Sequence, residues 1–207
     1  MPTDTFLNLP KAKQDKVLNA AIDIIKEKGY DKTSISDIVK KASIPRGSFY
    51  QYFKDKFDLY YYLFDLIQTK KMAYFKSIVA KFEDRSFVDL YDEIVMAGLK
   101  FAQENEDAFM LGYHLYKASD ATVEKLWFNM EQRGIEAYEA FLWQDQKKGF
   151  ISKDVNITVV AKMLYHFNAV ELLKMVYNKE SEAKIRALTH ETIEVIKYGV
   201  LKNGVKR

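Results

Sequence analysis

Cysteine is absent from the 207 residues, which removes disulfides, thiolate metal sites and sulfur nucleophiles together. Proline is nearly absent: Pro2, Pro10 and Pro45 all lie in the first quarter, and nothing from Arg46 onward interrupts a helix in that way. A stretch that long without a helix breaker implies a mostly helical chain. Histidine is just as sparse. Its three copies, His114, His166 and His190, have neither metal-ligand spacing nor the company of a nucleophilic triad, so no metal, no cofactor and no catalysis are expected. No segment approaches the ~20 uncharged apolar residues of a membrane span, and Met1 to Leu9 carry neither a basic leader nor an apolar run. A soluble, cytoplasmic protein away from membranes is expected.

What is present is helical periodicity with regular punctuation. A first long helix is expected from about Lys11 to Lys28, presenting Leu18, Ala21, Ile22 and Ile25 and ending at Gly29. Further starts are marked by Thr33 or Ser34, Pro45, Asp55 with Asp58 reaching back, Ser86 with Asp89, Asn105, Ser119 or Asp120, Asn156 and Ser181. The helix opened at Asp55 should continue through Leu59, Leu63, Leu66, Ile67 and Ala73, and the last helix through Val200 to Lys202. These give about nine helices and an all-α fold.

Thr33 to Lys56 carries the most specific pattern. Ile35, Ile38, Val39 and Ala42 give a short helix one apolar face, and Pro45 suits the first position of a second helix because its missing N–H has no partner there. In that second helix Phe49 and Phe53 fall four apart and face inward. Arg46, Gly47, Ser48, Tyr50, Gln51 and Tyr52 supply small or hydrogen-bonding residues. A slender polar front on a dry back suits a major groove about 12 Å wide. Arg46 can fork onto guanine O6 and N7, and Gln51 can pair with adenine. Gly47 lets a backbone approach closely, or is a turn residue beside Pro45; Tyr50 is open between groove and core. The hydroxyls of Ser48, Tyr50 and Tyr52 can meet phosphate, sugar or base, while Tyr30 and Phe53 are assigned to the interior. Lys56 and the helix start beside it, with Thr33 and Ser34, suit phosphate. Charge agrees: residues 1–56 hold 11 Lys or Arg against 7 Asp or Glu, and residues 57–207 hold 21 against 22.

Gly29-Tyr30, the Thr33 segment and the run Gly47-Ser48-Phe49-Tyr50-Gln51-Tyr52-Phe53-Lys54-Asp55-Lys56-Phe57-Asp58-Leu59 resemble the N-terminal domain of the tetracycline-repressor (TetR) family of bacterial transcriptional regulators over roughly residues 10–60. Pro45 departs from the Ser that often caps the reading helix there. The resemblance implies a DNA-binding domain of three helices over residues 1–56 and a larger effector-binding and dimerisation domain over 57–207. It also implies that Thr33, Ser34, Pro45, Arg46, Gly47, Ser48, Tyr50, Gln51, Tyr52 and Lys56 face DNA. It implies a homodimer through the last two helices, a palindromic double-stranded operator, and a repressor released by a small-molecule effector.

Beyond Lys56 the chain is rich in aromatics, which fits a core and equally an apolar cavity. Candidate effector contacts are Phe101, Met110, Tyr113, His114, Trp127, Met130, Tyr138, Met163, Phe167 and Asn168, with an apolar or aromatic effector. His114, His166, Asn168 and Glu171 stand out as polar groups inside apolar runs; His166 and Asn168 equally suit a subunit boundary. Val160, Met163, Leu164, Phe167, Leu172 and Val176, then Ile185, Leu188, Ile193, Ile196 and Val200, form stripes compatible with dimerisation or an internal core. Two rival readings stand: an activator or architectural DNA-binding protein whose second domain only dimerises or meets a protein, and a helical enzyme or carrier. The second lacks any convergent set of ionisable residues.

Overall fold

Helix follows helix from Asp4 to Tyr198 in the computed structural model, and no strand occurs among the described residues, 1–199. In chain order these are α1 (Asp4–Leu7), α2 (Lys11–Lys32), α3 (Ile35–Ala42), α4 (Arg46–Tyr52), α5 (Lys56–Val79), a 3-10 turn (Ala80–Glu83), α6 (Phe87–Glu104), α7 (Glu106–Lys117), α8 (Ala121–Lys148), α9 (Ile157–His166), a stretch in π register (Phe167–Leu172), α10 (Leu173–Tyr177) and α11 (Glu182–Tyr198). The segments expected to be helical are helical, and the single turn α1 is an addition. Val200 and Lys202, expected in the last helix, lie outside the described residues.

Local hydrogen bonds set most of the starts. Ser34 accepts from the Asp37 N–H while Asp37 accepts from the Ser34 N–H, a reciprocal box that opens α3. Ser86 accepts from Asp89 at α6, Asp120 from Thr122 and Val123 at α8, Asn156 from Val159 at α9, and Ser181 from Lys184 at α11. Each satisfies a donor that the helix itself leaves without a partner. At α5, Asp55 caps as expected by accepting from Asp58, but the Asp58 carboxylate reaches back to the Lys54 N–H at 3.1 Å rather than to Asp55. Gly29, at φ 76° and ψ 166°, breaks α2 close to its end, in a region that residues with a Cβ enter only under strain.

The described residues form two compact units, each with its own core. Unit 1 joins Met1–Ala73 to Ala102–Asn129. Phe6, Ile25, Ile38, Phe49, Phe53, Leu59, Tyr60 and Leu111 are fully buried in it, and the Tyr60 hydroxyl donates to the Leu111 carbonyl at 2.6 Å. Leu66 and Ala73, through which α5 continues as expected, are exposed.

Unit 2 joins Tyr74–Phe101 to the chain from Met130 onward. Its core gathers Phe87, Leu90, Tyr91, Leu142, Ala161, Leu164 and Ile185. Phe87 lies parallel to Phe141 with centroids 5.5 Å apart, and the Tyr91 hydroxyl donates to the Leu164 carbonyl at 2.6 Å. Asp145 is buried and accepts from the Phe87 N–H at 2.7 Å; that burial pushes its carboxyl above the ordinary range. The π stretch inserts extra residues into the helix, and one extra residue rotates the downstream turns by roughly 100°. Val159 and Met163 face outward before it; after it Glu171 faces outward, where a regular helix would have put Val170, which turns half inward.

Candidate nucleic-acid interface

The turn between α3 and α4 is made by Ser43, whose φ of 50° and ψ of 48° are left-handed, so the chain reverses within three residues. The Ile44 N–H bonds back to the Val39 carbonyl at 3.0 Å and closes the end of α3. Pro45 is extended, at φ −61° and ψ 144°, and stands just before the helix; Arg46, not Pro45, is the first helical residue. A proline in that cap position offers no side-chain acceptor, and none is found.

Phe49 and Phe53 are both 0% exposed, and their burial fixes which way α4 faces. Arg46, Gly47, Tyr50 and Gln51 lie on the exposed side, with Ser48 half-buried. Tyr50 is therefore a surface residue. Tyr52 is half-buried against Phe6, with centroids 5.7 Å apart. A Cβ built at Gly47 would meet nothing within 4 Å, so no contact inside the chain requires glycine there.

Three polar features hold this surface. The Arg46 guanidinium donates from Nη1 to Ser36 Oγ at 2.7 Å and from Nη2 to the Tyr50 hydroxyl at 3.4 Å, with its carbon 6.0 Å from the Tyr50 ring centroid. Thr3 donates from its hydroxyl to the Gln51 carbonyl at 2.6 Å and from its N–H to the Tyr52 carbonyl at 3.0 Å, satisfying the C-terminal end of α4. Phe6, one turn on, is buried against Phe53 at 4.7 Å. Lys56 donates to the Tyr30 carbonyl at 2.9 Å and sits 4.0 Å above the Tyr30 ring. Burial lowers its pKa, against the opposing pull of Asp120 and Asp31.

Two expectations change. Thr33 is 3% exposed, its hydroxyl donates to the Gly29 carbonyl at 2.7 Å and its N–H to the Tyr30 carbonyl at 3.1 Å. Both its donors are committed inside the chain rather than presented on the surface. Lys56 is tied down rather than free on the surface, with one of its three N–H groups used. Ser34 is exposed, but its hydroxyl donates to Asp37 at 2.8 Å. That bond first, then Lys28, holds the Asp37 carboxyl below its ordinary range. Of the basic residues nearby, Lys40 and Lys54 are exposed and Lys41 pairs with Asp23 at 3.1 Å. Ser36, Thr3 and Phe6 went unnoticed in the sequence. Thr3 stands three before Phe6, as a capping residue does; Ser36 carries no such signal.

The residues expected to contact an effector divide between the units. Met110, Tyr113, His114 and Trp127 belong to unit 1, and Phe101, Met130, Tyr138, Met163, Phe167 and Asn168 to unit 2. In unit 1 Trp127 meets Tyr116 at 5.4 Å, and His114 hydrogen-bonds to the Lys26 backbone. In unit 2 the structure brings Tyr138 and Asn168 together: the Asn168 amide donates to the Tyr138 hydroxyl at 3.0 Å, and Tyr138 also meets Phe87 at 5.0 Å and Tyr165 at 5.9 Å. Phe101 is buried against Tyr74 and Phe167 packs on the core. Met163 is 51% exposed and lies on the outer face of α9. His166 and Glu171 are likewise exposed, near Glu131 and Lys174. Periodicity marks a stripe; it does not say which side of the stripe is wet.

Among the described residues no group of acidic, histidine or cysteine side chains could hold a metal, and no helix is long and apolar enough to cross a membrane. Residues 17–63 match the family described as bacterial regulatory proteins, tetR family. The HTH-type transcriptional regulator YvdT of Bacillus subtilis (strain 168), itself uncharacterized, is 30% identical over 185 residues, 89% of each chain. Among solved structures, a TetR family transcriptional regulator from Chloroflexus aurantiacus superposes with a TM-score of 0.66 at 23% identity, over 96% of this chain and 98% of that one. The regulator FadR from Bacillus subtilis, solved with stearoyl-CoA, gives a TM-score of 0.68 at 17% identity, over 90% and 98%. At such identities the structures speak for the fold alone.

Proposed function

Because the chain belongs to the tetR family of bacterial regulatory proteins, we propose that it is a repressor whose α4 reads a palindromic operator as part of a homodimer and which a small-molecule effector releases. The observation that carries the DNA-reading part is the division of α4: Phe49 and Phe53 are wholly buried, and Arg46, Gly47, Tyr50 and Gln51 are left facing outward. Major-groove readout needs donors and acceptors on a helix that can enter the groove, and this face offers a fork, an amide and a hydroxyl beside a position without a side chain. Residues 1–56 form the DNA-binding domain in this reading, and residues 57–207 bind effector and dimerise.

The dimer is supported by the exposed apolar residues Val159, Met163, Leu188, Val195 and Tyr198 on α9 and α11, which association would cover. An apolar effector would suit unit 2, whose packed core is rich in aromatic rings and includes the Tyr138–Asn168 hydrogen bond. FadR, similar in fold, holds stearoyl-CoA, and that compound is the first probe to use. An effector acts only through unequal affinity for the two conformations.

Selection from a pool of randomised duplexes, followed by titration of the selected duplex, tests the reading. A palindromic consensus should emerge, and Gln51→Ala should weaken the selected duplex by about tenfold, the scale of one base contact. Binding that enriches no sequence, or a monomer at the concentrations that bind DNA, would refute it.

A further inference from the structure

We propose that Ser36, on α3, is a positioning residue for base readout: it holds Arg46 in a single extended pose, so that the fork is presented before DNA arrives. This rests on the DNA-reading function proposed above. Arg46 is the first residue of α4, the end of a reading helix that meets base edges, and an exposed arginine there is a long chain with many rotamers. Ordering such a side chain on binding costs affinity, and ordering it beforehand removes that cost. The Nη1–Ser36 Oγ bond of 2.7 Å does this ordering from the neighbouring helix, and the Tyr50 hydroxyl, 3.4 Å from Nη2, adds a looser guide from the next turn of α4. Arginine has five N–H groups, so a single bond to Ser36 leaves a pair free to fork onto guanine. Ser36 is uncharged and exposed, and it makes no bond that caps its own helix, where Ser34 and Asp37 do that work. Its contact with Arg46 is what sets it apart.

The test is a double-mutant cycle on a duplex selected from a randomised pool, with a duplex of random sequence alongside. Ser36→Ala introduces the best helix former and should leave the fold intact. It should weaken the selected duplex about three- to tenfold, flatten the preference at the same base pair that Arg46→Ala flattens, and leave random duplex binding unchanged. In the Arg46→Ala background the Ser36→Ala loss should vanish, and Ser36→Thr, which keeps the acceptor, should restore the preference. A Ser36→Ala loss that persists undiminished without Arg46, or falls equally on random duplex, overturns the proposal and makes Ser36 a backbone contact in its own right. So does an Arg46→Ala variant that keeps every base preference and lowers the slope of log affinity against log salt by about one, since Arg46 would then touch phosphate. If the unaltered protein selects no sequence, it is the DNA-reading function that fails, an outcome distinct from these.

Discussion

The reading element of unit 1 and the aromatic interior of unit 2 use the same materials, hydroxyls, carboxylates and rings, but they join them over different distances along the chain. Within and between α3 and α4 the bonds join near neighbours, Ser34 to Asp37 spanning three residues, Thr33 to Gly29 four and Arg46 to Ser36 ten, while the long reaches, Thr3 to Gln51 over 48 and Lys56 to Tyr30 over 26, come from the flanking segments. In unit 2 the Tyr138–Asn168 bond spans 30, the Phe87–Asp145 bond 58 and the Tyr91–Leu164 bond 73. Bonds between neighbours form wherever the local backbone is right, so each can be lost by itself. Bonds between distant segments exist only once several helices have come together, so losing one strains the rest. Damage in the reading element should be graded, and damage inside unit 2 should be shared.

The largest test of that contrast is Gly134→Ala. Alanine is ordinarily favoured in a helix over glycine by about 1 kcal/mol, but a Cβ at this position of α8 would stand 2.1 Å from Cε2 of the Tyr165 ring. That ring is half-buried beside Tyr138, and burial pushes its hydroxyl up to about 12. The Cδ2 and Cζ atoms of the same ring would also lie within 2.9 Å, so the whole ring must shift to make room. We expect destabilisation of about 1–3 kcal/mol, the range for overfilled cores, measured by urea unfolding with near-ultraviolet dichroism as the probe of the rings. Unchanged stability would show that unit 2 yields as easily as a surface, and the contrast would be lost.

A smaller effect is expected from Ser34→Ala. Removing a serine cap costs about 1 kcal/mol, and here it also takes away the principal partner of the Asp37 carboxylate. Hydrogen exchange should report faster amides in α3 alone, with α9 and α11 unmoved. Spreading of the effect into unit 2 would contradict the graded picture.

The same contrast explains what could be read from the sequence. The starts at Ser34, Asp55, Ser86, Asn156 and Ser181 were legible because a cap and the amide it bonds lie within three residues. The orientation of α4 was legible because Phe49 and Phe53 repeat at helical spacing. Ser36 was not: what matters about it is where the end of a long side chain on the next helix comes to rest. Thr3 was passed over because its partners, Gln51 and Tyr52, are reached only after the chain has doubled back. Gly134 looks like any isolated helical glycine until Tyr165 arrives from another helix. The π register of Phe167–Leu172 leaves no mark in an apolar periodicity, yet it accounts for Glu171, and not Val170, facing outward. Of the effector candidates, Tyr138 and Asn168 meet, and nothing in their spacing announced it.

The smallest effect expected is a dependence on pH carried by His114 in unit 1. Its imidazole lies by Gly29, with Nδ1 3.4 Å from where a Cβ would stand, and its Nε2 is buried with no partner. Burial lowers its pKa below the ordinary 6.5, and the hydrogen bond to the Lys26 backbone works in the opposite sense. The Lys26 side chain itself pairs with Asp107. A depressed imidazole means that, just below 6.5, the unfolded chain holds the proton more often than the folded one. Stability is therefore fully present above that value and declines as pH falls through the window down to the folded pKa. Urea midpoints measured at about pH 7.5 and about pH 5.5 should fall on acidification, and His114→Gln, which cannot take a proton, should show a smaller fall. An equal fall in His114→Gln would place the titration elsewhere, and the buried Nε2 would then be a defect that the fold tolerates at every pH.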